Sequence, residues 1–283
     1  MSLVPTEAVT VGMIVSALKM ATPLLISAMG ELVVQRAGIW NMAVEGTMLT
    51  AAFVAYVVVT LTGSPLLALA AAMGAAGLVG LVQAWLVVRL RLDHFVAGLA
   101  LNLVASGLTL FWFRAYAKAH GNPTFSSLAP FGPGPLSGLP VIGPIVEGLH
   151  PLTLLAFALA PLVWAFLEHS RPGLELRCLG ENPEALDLRG GRVMRGQTLA
   201  LVFASLLTGL AGGFLMLAFS DRFLPDFTAG RGWLVVVAII AGNWRPFRTL
   251  IAVLVFAGLD AVAIQGRVAG GILPEPLLLA APY

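Results

Sequence analysis

Runs of about twenty apolar residues, separated by short polar or arginine-bearing stretches, recur along the chain and predict membrane-crossing helices. They extend from Val9 to Gly30, Trp40 to Leu61, Pro65 to Val88, Phe95 to Phe113, Pro151 to Leu167 and Thr198 to Ser220. A crossing segment must pair its backbone polar groups internally, so each is expected to be helical. Trp233 to Gly242 and Thr249 to Ile264 are too short to cross easily alone, and Gly242, Pro246 and two arginines lie between them. A broken or re-entrant pair is expected there, because irregular backbone is tolerated in a membrane where protein or a water-filled cavity covers it. A last apolar stretch begins near Leu277 and reaches the end at Tyr283, which reads as a truncated span. The pattern as a whole predicts an all-α integral membrane protein, a polytopic bundle of about 8 to 9 membrane segments, some short or broken, in one transmembrane domain over residues 1–283.

Composition agrees. Hydrophobic residues make up 59% of the chain and charged residues 11%, against about 25% charged in soluble domains. The net charge of +2 comes from arginines flanking the spans, with no dense basic cluster for nucleic acid. Cys178 is the only cysteine, which excludes an intramolecular disulfide and a cysteine-based zinc site. Val9 onward reads as a retained span, since no basic region followed by a cleavage site precedes it.

With the N-terminus outside, the inner loops carry Arg36, Arg89, Arg91, Arg171, Arg177, Arg189, Arg192, Arg195, Arg245 and Arg248, and the outer segments Arg114, Lys118, Arg222, Arg231 and Arg267. That bias supports this orientation. Loop 115–150, with Gly132, Pro133, Gly134 and Pro135 at its centre, is expected to be an exterior, turn-rich cap. Loop 169–197 is then cytoplasmic, and within it Gly180, Glu181, Asn182, Pro183 and Glu184 form a compact helix start. Asn182 can cap, Pro183 suits the first helical position and Glu184 faces the positive dipole end, while Gly190 and Gly191 stop the helix after about two turns. A helix that short needs a packing partner, so a docking element for a soluble cytoplasmic partner is inferred, with Leu186 and Arg189 taking part.

No GxxxxGK[ST] is present, and the lysines are Lys19 and Lys118 alone; the chain has no P-loop with which to hold ATP phosphates. There is no HExxH, and His94, His120, His150 and His169 are scattered over loops on both faces. No catalytic residue, metal site or cofactor is expected. Asn41 and Glu45, four residues apart, would lie on one face near the inner end of the second span. Glu45 either lines a substrate route or gate, or pairs with Arg36 and ties helices together. Asn102 is a hydrogen-bonding group for a polar neutral solute or a link between helices, and Asp260 with Gln265 has the same two readings. Lys19, one turn before Pro23, snorkels or pairs. Gly74, Gly77 and Gly80, and the pair Gly209 and Gly213, are accounted for by close helix packing.

These motifs resemble a known family. Gly30-Glu31-Leu32 followed by Gln35-Arg36-Ala37-Gly38-Ile39-Trp40-Asn41-Met42-Ala43-Val44-Glu45-Gly46 is similar to the GEL…ERAGVxNxGxEG signature of ABC-importer permeases for nucleosides and simple sugars. Val96 to Leu103 resembles the family's VxGLALNL helix, Gly180-Glu181-Asn182-Pro183 its GENP coupling loop, Gly230 to Trp233 with Asn243 to Pro246 its GRGF…GxWxP pair, and Gly258 to Ala261 its GLxDAL segment. Ala43 stands where Gly is usual, and Asp93-His94-Phe95 replaces the commoner Asn-Gln-Ile. The resemblance implies a permease of the bacterial plasma membrane that works with a second related permease, a cytoplasmic ABC ATPase and an exterior substrate-binding lipoprotein. It also implies a last helix beyond Tyr283. A nucleoside is the expected solute and a ribose- or galactose-type sugar the alternative. A self-sufficient secondary transporter would need its own coupling-ion site, which so few buried charges do not favour.

Overall fold

The computed structural model describes residues 6–128 and 146–268, with side chains described over 11–128 and 146–262. Ten α-helices are described. They are α1 (Thr6–Arg36), α2 (Val44–Thr62), α3 (Pro65–Ala84), α4 (His94–His120), α5 (Pro151–His169), α6 (Arg171–Glu181), α7 (Pro183–Leu188), α8 (Val193–Phe219), α9 (Arg231–Ala241) and α10 (Pro246–Val268). A π-helical turn, Trp85–Arg89, prolongs α3. Six helices among the described residues are long and apolar enough to cross a membrane, fewer than the eight to nine segments expected. The apolar stretch from Leu277 lies outside the described residues, as does the middle of the exterior loop, 129–145.

The helix α8 is the axis of the bundle and packs against α1, α2 and α3. Its GxxxG pair works as anticipated: a Cβ on Gly209 would meet Ala76 at 2.5 Å, and one on Gly213 would meet Ala72 at 3.0 Å. Gly77 and Gly80 face Leu206 and Ser205 of α8, whereas Gly74 faces open space and takes no part. Fully buried Leu25, Met29, Met48, Leu201 and Phe214 fill the centre. The outward faces of α3, α4 and α10 expose Leu66, Leu78, Leu103, Phe111, Ile251 and Val255, an inverted distribution suited to lipid or to another membrane chain.

Several boundaries differ from those expected. Helix α4 runs on to His120, six residues into the segment 115–150 assigned to the exterior loop. The inner loop 169–197 is largely helical, α6 and α7 filling most of it before α8 begins at Val193. Gly180 and Glu181 therefore close α6 instead of opening the docking helix. The last described helix, α10, has 23 residues, about 34 Å, and is not short: it starts at Pro246, where proline suits a first turn.

Segment 37–43 folds back into the bundle. Trp40 N–H donates to Nδ1 of His94 at the start of α4 (3.3 Å), and Asn102, about 12 Å further along α4, reaches the Met42 carbonyl and the Gly46 N–H. The start of α2 is thus well inside the bundle. Asn41 precedes that helix, so Asn41 and Glu45 do not share a helix face.

Candidate functional site

Two polar centres lie along this re-entrant path. The first surrounds Glu31, fully buried on α1. Its Oε1 accepts from Asn41 Nδ2 at 2.6 Å and from Thr208 Oγ1 of α8 at 3.5 Å, while Ser27 and Thr208 share a hydrogen bond of 2.9 Å. Asn41 Oδ1 accepts from Ala43 N–H. Asn41 therefore ties the re-entrant segment to α1 and is itself buried. Glu31 was not singled out in the sequence, because it sits just past an apolar run; its place in the Gly30-Glu31-Leu32 motif was the available signal.

The second centre is built on Glu45. Its Oε1 accepts from Thr228 Oγ1 (2.5 Å) and Gly230 N–H (2.9 Å), and Oε2 accepts from Gly232 N–H (2.6 Å). These donors form the entry and first turn of α9, so the carboxylate occupies the positive end of that helix, where unpaired N–H groups and the dipole both favour an anion. Gly232 permits the approach: a Cβ there would lie 2.6 Å from Glu45 Cα. The entry turn is wound tightly, with Asp226, Ala229 and Gly230 all at positive φ (58°, 46° and 80°). Glu45 does not pair with Arg36. It ties α2 to the entry of α9 through one hydroxyl and two backbone N–H groups, and the backbone donors are ones no side-chain pattern reveals.

Arg231, assigned from sequence to an outer segment, is the first residue of α9 and pairs with Asp260 of α10 at 3.5 Å, both side chains about one-fifth exposed. A second guanidinium nitrogen donates to the Thr228 carbonyl. Asp260 is therefore joined to the same half-helix. Gln265 lies outside the residues whose side chains are described. Asn102 bonds the α2 entry through both ends of its amide, accepting from Gly46 N–H and donating to the Met42 carbonyl.

The other end of α9 is clamped to α1. Asn243 and Trp244 both hold positive φ (52° and 51°), a strained pair for residues with side chains. Arg36 Nε and Nη2 donate to the Trp244 carbonyl (3.2 and 2.9 Å), the Trp244 indole N–H donates to Gln35 Oε1 (2.8 Å), and the Trp40 ring meets the Trp244 ring edge-on at 5.9 Å. Arg36 is thus engaged at the turn rather than at Glu45. The 11-residue α9, about 16 Å long, is a short apolar helix held by a carboxylate at one end and a guanidinium at the other.

The segment expected to dock a partner lies at the same end of the bundle as this turn. Asn182 Oδ1 accepts from Ala185 N–H at 3.0 Å and Pro183 opens α7, as anticipated, and Gly190 turns at φ 80° after six helical residues. Leu186 is not the exposed apolar contact: it folds under the helix, and a Cβ on Gly191 would strike its Cγ at 2.5 Å. Leu188, 90% exposed, is the outward side chain. A Cβ on Gly180 would run into the Arg36 carbonyl, so α6 rests directly on the end of α1. A continuous frame joins α7, through α6, to the turn that clamps α9.

Sequence comparison adds independent information. A profile of the family described as branched-chain amino acid transport system / permease component matches residues 13–274. A Haloferax volcanii protein provisionally named as the glucose ABC transporter permease TsgC13 is 33% identical over 260 residues, 90% of this chain and 78% of its own. The guanosine ABC transporter permease protein NupQ of Bacillus subtilis is 31% identical over 277 residues, 93% of this chain and 86% of its own. The nucleoside ABC transporter permease protein NupC of Lactococcus lactis is 33% identical over 273 residues, with the same two shares. No solved structure matches the chain.

Proposed function

The chain belongs to the family of branched-chain amino acid transport system permease components, a multi-pass ABC-importer permease, and on that footing we propose that it carries nucleosides inward across a bacterial plasma membrane. Two of the named relatives are permeases for guanosine or nucleosides over 93% of this chain, and this is the observation that carries the choice of solute. The interior agrees with an uncharged cargo. Arg231 faces Asp260, and Glu45 accepts from the Thr228 hydroxyl and two backbone N–H groups, so these three charges are not free to compensate a charged solute in a low-dielectric route. Glu31, the carboxylate that remains, is fully buried against Asn41 and Thr208.

ATP hydrolysis belongs to a separate subunit in this reading, as the absent P-loop requires. A cytoplasmic ATPase docks on α7 through Leu188, Glu184 and the Asn182-capped turn, with Gly180, Glu181 and Arg189 flanking it. A second, related permease and an exterior binding lipoprotein complete the importer. Movement of α7 passes through α6 and the end of α1 to Trp244, and so to α9. Helix α9 then acts as the gate, with Glu45 and Asp260 as its hinges. Asn41 and Asn102 hold the re-entrant wall against which it closes. The entry 221–230 together with α9 forms one discontinuous crossing, the seventh, and helix α10 is the eighth.

The TsgC13 relative favours a second reading, a simple-sugar permease. Uptake of labelled solutes by the complex reconstituted with its binding protein separates the two. Adenosine or guanosine is expected to enter with ribose and glucose competing poorly; sugar uptake without nucleoside uptake would replace the first reading with the second.

A further inference from the structure

At the inner end of the bundle, the turn between α9 and α10, the end of α1 and the side of α6 enclose two adjoining cavities of about 420 and 440 Å³ that share Arg36, Arg177, Trp244 and Arg245. Arg248 lines the second. Four guanidinium groups thus converge here, while Glu168 and Glu181 are the carboxylates on the walls. Arg36 is spent on the Trp244 carbonyl and Arg177 on Glu168 at 3.1 Å. Arg245 and Arg248 have no side-chain partner among the described residues, and both are exposed. They stand at the N-terminus of the 23-residue α10, whose first turn has no acidic residue, so the positive helix end adds to their field.

From this geometry we propose that the cavity binds the phosphate headgroup of an anionic phospholipid in the leaflet at the inner end of the bundle. The surrounding wall selects a lipid over a free anion. Immediately beside the arginines, Trp164 and Phe247 pack together at 5.8 Å and stay 40% and 47% exposed, and Ile251, one turn further along α10, is 60% exposed. A charged mouth that continues into an apolar, outward-facing wall matches the two halves of one phospholipid, whereas a soluble phosphate uses only the first. Arg245 and Arg248 supply the phosphate contacts, and the Phe247 to Ile251 face receives an acyl chain. A lipid held there would sit on the turn that Arg36 clamps. The inference holds whichever solute is carried, since it needs only a membrane-embedded chain.

The test is a lipid titration of the full-length, detergent-purified protein by native mass spectrometry. Wild type is expected to bind one phosphatidylglycerol at least tenfold more tightly than phosphatidylcholine. Arg245→Ala with Arg248→Ala should erase that preference, Arg245→Lys with Arg248→Lys should keep most of it, and Arg89→Ala with Arg91→Ala, the same charge change on another inner loop, should leave it within twofold. Arg248→Gln alone, on an exposed position of α10, should give a partial loss even if the double alanine variant does not fold. An unaltered preference in both the double alanine variant and Arg248→Gln would overturn the proposal, and so would equal loss in the Arg89 and Arg91 control. Displacement of the bound lipid by millimolar inorganic phosphate would do so too, by assigning the cavity to a soluble anion.

Discussion

Replacing Glu45 by alanine removes the acceptor that holds the N-terminal end of α9. Three donors lose their partner at once: Thr228 Oγ1 and the N–H groups of Gly230 and Gly232, now at 2.5, 2.9 and 2.6 Å from the carboxylate. A buried donor left without a partner costs about 1–3 kcal/mol. Gly232 is buried but Glu45 is only partly so, and water reaching the vacated space offsets part of the loss, which leaves about 2–4 kcal/mol. At 1.36 kcal/mol per factor of ten, the docked state of α9 should lose roughly 30- to 1,000-fold in population relative to its opened state. The cost is local, because the Arg36 clamp at the other end and the α8 core are untouched. Hydrogen exchange of amides 230–235 in the reconstituted protein is the assay: their protection should fall by that factor while amides in α8 keep theirs. Glu45→Gln, which keeps one acceptor oxygen, should fall between. Uptake should drop with α9 protection across the three proteins. Wild-type protection at 230–235 in Glu45→Ala would refute the account of the clasp, and lost protection with undiminished uptake would refute α9 as the gate.

Leu188→Asp should leave insertion and melting unchanged, since the side chain is 90% exposed, yet abolish ATPase binding and uptake in the reconstituted complex; normal uptake at equal expression would remove α7 from coupling. Asn182→Ala should cost about 1 kcal/mol of local helix stability, read as faster amide exchange over 184–188. Purified alone, the chain should hydrolyse no ATP, and the assembled complex should; activity in the contaminant-free chain would contradict the missing P-loop. His150, outside the spans, accepts Leu152 N–H on its neutral Nδ1 at 3.2 Å, and burial holds its pKa below the usual 6.5. The folded state therefore resists protonation, and this contribution is whole above pH 6.5 and declines as the pH falls below it. His150→Asn, which caps without titrating, should flatten the melting temperature between pH 5 and 7; an unchanged slope would exclude His150 as the source.

The periodicity and length of the apolar runs were enough to establish the crossing helices α1 to α5 and α8, because in lipid a long apolar segment has almost no alternative to an internally bonded helix. The Asn182-Pro183 start and the Gly190 stop of α7 were equally legible, since caps are settled by neighbouring residues. Small residues on α8 announced close packing, and Gly209 and Gly213 provide it. What the sequence by itself could not settle was partnership across distance. Glu45 meets N–H groups 185 and 187 residues away, and Arg36 meets a carbonyl 208 residues away. Backbone groups carry no residue identity, so no pattern of side chains could have pointed to either contact. Asn41 and Glu45 fit a helical spacing, but the chain re-enters before α2, and tertiary packing against α4 overrode the local periodicity. Arg231 looked like a loop arginine because nothing nearby in sequence pairs with it; only the fold brings α10 and Asp260 alongside. Leu186 and Leu188 are indistinguishable by composition, and which of them is exposed was decided by the turn at Gly190 and Gly191, which folds the chain back over Leu186. Local rules thus set which segments are helical, whereas long-range burial of polar groups, each needing a partner once water is excluded, decided where the broken segment sits and what holds it.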